Sequence, residues 1–238
     1  MTGKVGTPAR TSAAPTAESR RSEIDAFLRE ANAVAAPGAS GRGRLIFALD
    51  ATMSRQPTWD MACEVQAGMF DAAASVGGLA VQLVYFRGVG ETRASTWAGD
   101  ARRLRALMER IACRGGRTQI GKVLTHARRT AEDRPLAALV YVGDCMEEDI
   151  DDLCHRAGEL ALLGVKAFMF HEGRDPVAAR AFREIARLTG GAYLPFNAGA
   201  AADLRKLLAA VATYAAGGRQ ALEASGAPAA RRLLADLG

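Results

Sequence analysis

From Arg44 onward, short, wholly apolar runs alternate with longer segments whose apolar positions recur at helical spacing. That alternation leaves few folds open. A strand that is apolar at consecutive positions has no face fit for water, so it must be covered on both sides, and intervening helices supply the cover. Helical crossovers in turn join parallel strands. The pattern predicts a doubly wound α/β fold: a mostly parallel central sheet, one antiparallel edge strand, and helices on both faces.

The first strand is expected over 44–50. A helix then starts near Pro57, which a first helical turn tolerates, and carries Met61, Ala62, Val65, Met69, Ala72, Ala73 and Val76 to a stop at Gly77-Gly78. Strands over 79–86 and 91–97, joined through Gly88-Val89-Gly90, read as a hairpin whose second arm is the antiparallel edge. Helices follow over 100–111 and 118–130, a strand over 136–142, a helix over 150–162 and a strand over 165–170. A helix over 176–188, a short strand over 192–195 and a helix over 201–215 complete the set.

At 238 residues and 49% hydrophobic content the chain supports one well-buried core. Residues 1–21, rich in Thr, Ala, Ser, Gly and Pro, read as a disordered tail. Residues 22–43 read as an amphipathic helix and linker, with Ile24, Phe27, Leu28, Ala31 and Val34 on one face. The α/β domain is expected over 44–216. A C-terminal tail over 217–238 has the makings of a short helix around Leu233-Leu234.

The net charge of +5 is modest and both signs are interspersed, which argues against nucleic acid as the partner. No apolar run approaches the ~20 residues of a membrane span. Cys63, Cys113, Cys145 and Cys154 lack the spacing of a zinc ribbon or disulfide framework, and no secretory leader is evident, so free thiols in the cytoplasm are expected.

Asp50, Asp144 and the His171-Glu172 pair stand where this fold collects function, beyond the carboxyl ends of the strands, and Thr118 is expected at a helix start. The first strand ends in Asp50-Ala51-Thr52-Met53-Ser54. Thr118 follows Gly115-Gly116-Arg117 at an expected helix start. Leu139-Val140-Tyr141-Val142-Gly143 ends in Asp144, and the 165–170 strand runs into His171-Glu172. Carboxylate and hydroxyl oxygens from three stretches suit a hard cation such as magnesium, manganese or calcium.

This ordered set is similar to the metal-ion-dependent adhesion site of von Willebrand factor A domains, and the likeness covers about 44–216. It implies that Thr52, Ser54 and Thr118 offer hydroxyl oxygens to an ion that Asp50 and Asp144 bind directly or through water. Thr52 stands where the family usually has Ser, keeping the hydroxyl and adding a methyl group. The likeness further implies a binding module, not an enzyme: the ion's remaining position takes an acidic side chain of a partner protein. Intracellular members often act as adaptors beside ATPases or chaperone-like assemblies.

Two other readings compete. A haloacid-dehalogenase-like phosphohydrolase would use Asp50 as nucleophile, but its general acid two residues on is replaced by Thr52, and a helix expected at Pro57 leaves little room for a flap. A metal-free scaffold would use Asp50 and Asp144 as caps only. Gly116 to Lys122 mimics a phosphate loop, yet Val123 replaces the required Ser or Thr. Arg114 and Arg117, within a cluster of basic residues around Thr118, and His171 are candidates for a rim that meets the partner, steering it by charge. Glu147, Glu148, Asp149, Asp151 and Asp152 are expected at a helix N-terminus. Cys145 and Cys154 are read as ordinary thiols.

Overall fold

The computed structural model describes residues 42–196 and 201–237. The tail and the amphipathic helix anticipated before residue 42 lie outside the described residues. Six strands form one sheet: β1 (Gly43–Asp50), β2 (Leu79–Arg87), β3 (Glu91–Ala98), β4 (Ala138–Gly143), β5 (Lys166–Glu172) and β6 (Ala192–Phe196), in the order β3-β2-β1-β4-β5-β6. All neighbours are parallel except β2 and β3, which pair antiparallel as the edge hairpin. The fold class is the one the alternating pattern predicts.

Side chains along β1 alternate between two buried layers, as the period of a strand requires. Leu45, Phe47 and Leu49 face one core, shared with α1 (Gln56–Val65), α2 (Ala67–Ala74), α3 (Ala101–Met108) and α7 (Ala201–Ser225). Ile46 and Ala48 face the other, shared with α4 (Ile120–Asp133), α5 (Ile150–Leu162) and α6 (Pro176–Thr189). The start of β1 lies so close to α7 that a Cβ on Gly43 would meet the Ala215 carbonyl oxygen at 2.0 Å. Only glycine fits that approach.

From β1 the chain steps outward to β2 and β3, then returns to the opposite side of β1 to form β4. The direction of winding thus reverses between β1 and β4. Flanking connections there diverge to opposite faces and open a crevice at the carboxyl ends of these two strands.

Two elements differ from the sequence expectation. The helix after β1 is divided at Gln66, whose side-chain amide donates to the Ala101 carbonyl. The C-terminal segment is also more than an appendage. Helix α7 continues through a kink at Gly218, and α8 (Pro228–Asp236) follows, so that Leu222, Ala230 and Leu233 join the same buried layer as Leu45 and Phe47. Among the described residues, no helix is long and apolar enough to cross a membrane.

Leu233 is fully buried, so Leu233→Ala should lower unfolding free energy by about 2–5 kcal/mol. Urea denaturation checks this; a change below ~0.5 kcal/mol, the size of a surface substitution, would mean α8 contributes little to the core.

Candidate metal centre

Parallel pairing aligns Leu49 with Val142, so β1 and β4 end side by side, one residue later, at Asp50 and Gly143. Asp50 closes β1 and Asp144 follows β4. The carboxylates of Asp50 and Asp144 and the sulfur of Cys145 each offer an atom within 4.8 Å of the other two. Asp50 is only 3% exposed. Its Oδ1 accepts from the Thr52 backbone N–H at 2.7 Å, whereas Oδ2 is buried with no partner. Asp144 Oδ1 is likewise buried and without a partner.

Such a pair is electrostatically unsatisfied. Burial is the main force pushing the Asp50 carboxyl up to about 6; the Thr52 N–H and hydroxyl pull it down, Asp144 pushes it up and Arg55 pulls it down. Burial, then the charge of Asp144, pushes the Cys145 thiol up to about 12. Both shifts describe a site that disfavours further negative charge. Two neighbouring carboxylates, each with a buried oxygen that lacks a partner, are the kind of donors a divalent cation takes, and the residues therefore fit one.

A guanidinium also stands at the site. Arg55 is 4% exposed, its Nη2 donates to Glu172 Oε2, and its Nη1 lies 3.6 Å from Asp144 Oδ2. The Thr58 hydroxyl donates to the same Glu172 oxygen. Arg55 is thus spent first on Glu172, at the end of β5, and reaches Asp144 only at the outer limit of an ion pair. The orphaned oxygens of Asp50 and Asp144 stay unmatched. Arg55 is absent from the sequence expectation because a lone Arg near a helix start is common; its neighbour in space, Glu172, is far along the chain.

Thr118 lies in the loop ahead of α4, not in its first turn as expected. Its N–H donates to Glu147 Oε2 and its hydroxyl accepts from the Glu147 N–H, both at 3.1 Å, tying it to the loop that follows Asp144. The Glu148 carboxylate accepts from the N–H groups of Ile120 and Gly121. Glu147 and Glu148 therefore serve the neighbouring helix start, while Asp149 caps its own helix by accepting from Asp151 and Asp152. The Thr118 loop is also fixed from the other side: the Arg114 N–H donates to Ala51, and the Arg117 N–H to Gly88. A Cβ on Gly116 would meet the Gly88 nitrogen at 2.2 Å, so this contact between loop and hairpin needs glycine.

Thr52 opens the short turn Met53–Arg55, and α1 follows at once. That leaves no segment for the flap a haloacid-dehalogenase-like enzyme would carry there. The Ser54 side chain lies outside the described residues. Arg114 and Arg117 are exposed.

His171 requires a correction: it is 1% exposed and cannot form part of a rim. Its Nε2 lies 3.3 Å from the Asp144 carbonyl and its Nδ1 2.7 Å from the Tyr193 hydroxyl. A carbonyl can only accept, so Nε2 donates and Nδ1 accepts from Tyr193. Burial lowers the imidazole's pKa and favours this neutral form. Strand β5 extends past its apolar run through His171 and Glu172, which buries the imidazole and makes it a brace beneath Asp144.

No protein-family model matches the sequence, and no curated protein does. Solved structures do match by shape. The SpRpn10 VWA domain superposes with a TM-score of 0.56 at 14% identity, over 69% of this chain and 94% of that one. An aerotolerance-related membrane protein from Bacteroides fragilis gives 0.55 at 16%, over 70% and 96%. The chain has the von Willebrand factor A fold. Proximal thread matrix protein 1 from the mussel byssus, with a zinc-occupied MIDAS motif, gives 0.56 at 18%, over 75% of this chain and 49% of that one.

The raised Asp50 carboxyl fixes the sign of a pH effect. A carboxyl at about 6 when folded and 3.8 when unfolded binds protons more tightly in the folded state, so its contribution falls as pH rises between those values. In chelator, the stability of Asp50→Asn relative to the parent should therefore rise by about 2–3 kcal/mol from pH 4 to pH 7. Paired denaturation curves measure this; a flat difference would show that Asp50 is not electrostatically frustrated.

Proposed function

We propose that this chain is a metal-dependent protein-binding module. On this reading Asp50, Thr52, Ser54, Thr118 and Asp144 hold a hard divalent cation, magnesium or a similar ion, and its open position takes an acidic side chain from a partner protein. The observation that carries the proposal is the pair of buried, unpartnered oxygens, Asp50 Oδ2 and Asp144 Oδ1. Leaving buried acceptors without a partner costs free energy.

The ion, when bound, supplies positive charge and a coordination position for an incoming carboxylate. Hydroxyl donors suit that use, because they fill the ion's coordination shell without cancelling its charge. The chain's own groups do the rest. Glu147 anchors Thr118, Thr52 orients Asp50, and His171 braces the backbone of Asp144. Arg114 and Arg117, exposed on the loop bonded to Ala51, add long-range attraction for an acidic partner and act chiefly on the association rate.

We assign no catalytic residue. Against the phosphohydrolase reading stand Thr52 in the place of a general acid and the helix that follows the Met53–Arg55 turn at once, where a flap would be needed. The setting that the family likeness suggests is a cytoplasmic assembly or adaptor role, with a partner of the ATPase or chaperone-like kind.

Calorimetric titration of the full chain with magnesium or manganese should give one site. Asp50→Ala or Asp144→Ala should each weaken it on the order of 100-fold or more, since even groups behind a metal's ligands contribute 10–100-fold. Retention of affinity in both variants, or phosphatase turnover abolished by Asp50→Asn, would contradict the proposal.

A further inference from the structure

We propose that the same centre also takes a soft divalent ion of the zinc class, with Cys145 Sγ as a direct ligand beside Asp50 and Asp144. The inference rests on the metal-binding reading above and adds to it the kind of ion and one ligand. In sequence Cys145 is merely the residue after Asp144; in space its sulfur is a third corner of the carboxylate pair.

The geometry is close to closed. Zinc binds carboxylate oxygen and thiolate sulfur at about 2.0–2.3 Å, so two ligands of one ion are at most ~4.6 Å apart. The three candidate atoms already lie within 4.8 Å of one another. A small inward movement of side chains brings all three onto one ion. Asp50 is an independent pointer to a ligand: it is 97% buried by its 3% exposure, yet its Oδ2 has no partner. The other three cysteines, Cys63, Cys113 and Cys154, belong to no such cluster among the described residues.

Chemistry separates the two classes of ion. Magnesium and calcium are hard and take oxygen, gaining nothing from a thiol, whereas zinc binds sulfur as its thiolate. As the sulfur–metal bond forms, the thiol proton passes to solvent and no electrons are exchanged. Two carboxylates and a thiolate then outweigh the charge of a dication by one. The zinc form of the centre is accordingly less attractive to a partner's acid than the magnesium form, and the identity of the ion sets how well the module binds.

Cobalt(II) is the probe, because a thiolate on cobalt gives an intense near-ultraviolet charge-transfer band that oxygen ligands do not. The full chain titrated with cobalt under reducing conditions should show this band. Cys145→Ser should abolish it and weaken zinc binding on the order of 100-fold, while magnesium binding by calorimetry stays within about twofold, which also shows that the variant is folded. Asp50→Ala should lose the band as well.

Cobalt bound without the band, or a band that survives Cys145→Ser, would overturn the sulfur ligand and leave the oxygen site standing. Failure of magnesium, zinc and cobalt alike to bind the parent chain would overturn the metal-binding reading on which the inference rests.

Discussion

The parallel pairing of β1 with β4 is the constraint from which the site follows. Once Leu49 is aligned with Val142, the two strands end together, with Asp50 the last residue of β1 and Asp144 the first residue after β4. Their position between two oppositely wound halves removes the loops that would otherwise cover them. Buried side chains on both faces of β1 hold that register. A slip of one residue would exchange the two cores and move Asp50 to the opposite face.

Two electrostatic settlements coexist in the crevice. Arg55 and Glu172 form a buried pair, joined by the Thr58 hydroxyl, and it is internally balanced. Asp50 and Asp144 are not balanced; Arg55 is near enough to Asp144 to soften its charge but leaves Oδ1 bare. A buried ion pair contributes little to net stability, since desolvation offsets most of the attraction. Its effect here is positional: it fixes a guanidinium beside Asp144, while Asp50 Oδ2 and Asp144 Oδ1 keep no partner.

The sheet and most of the helices were legible in the sequence because local periodicity encodes them. Consecutive apolar residues in 45–49 and 139–142 demand burial on both faces, and Gly190, which adopts a left-handed conformation, ends α6 as glycine in that place suggests. The aspartates were legible because they terminate those runs. What escaped depends on contacts between distant residues: the bond between Thr118 and Glu147, the pairing of Arg55 with Glu172, and the placing of Cys145 against Asp50. His171 was misplaced for a related reason. Its chemistry suggests a surface role, but strand β5 extends two residues beyond its apolar run, through Glu172, and carries the imidazole inside.

Anomalous diffraction from crystals grown with manganese tests the central claim most directly. A single strong peak is expected between the carboxylates of Asp50 and Asp144, within coordination distance of both. A crevice without such a peak, with the Arg55 guanidinium swung between the two aspartates in its place, would show that the chain satisfies those oxygens itself and holds no metal there.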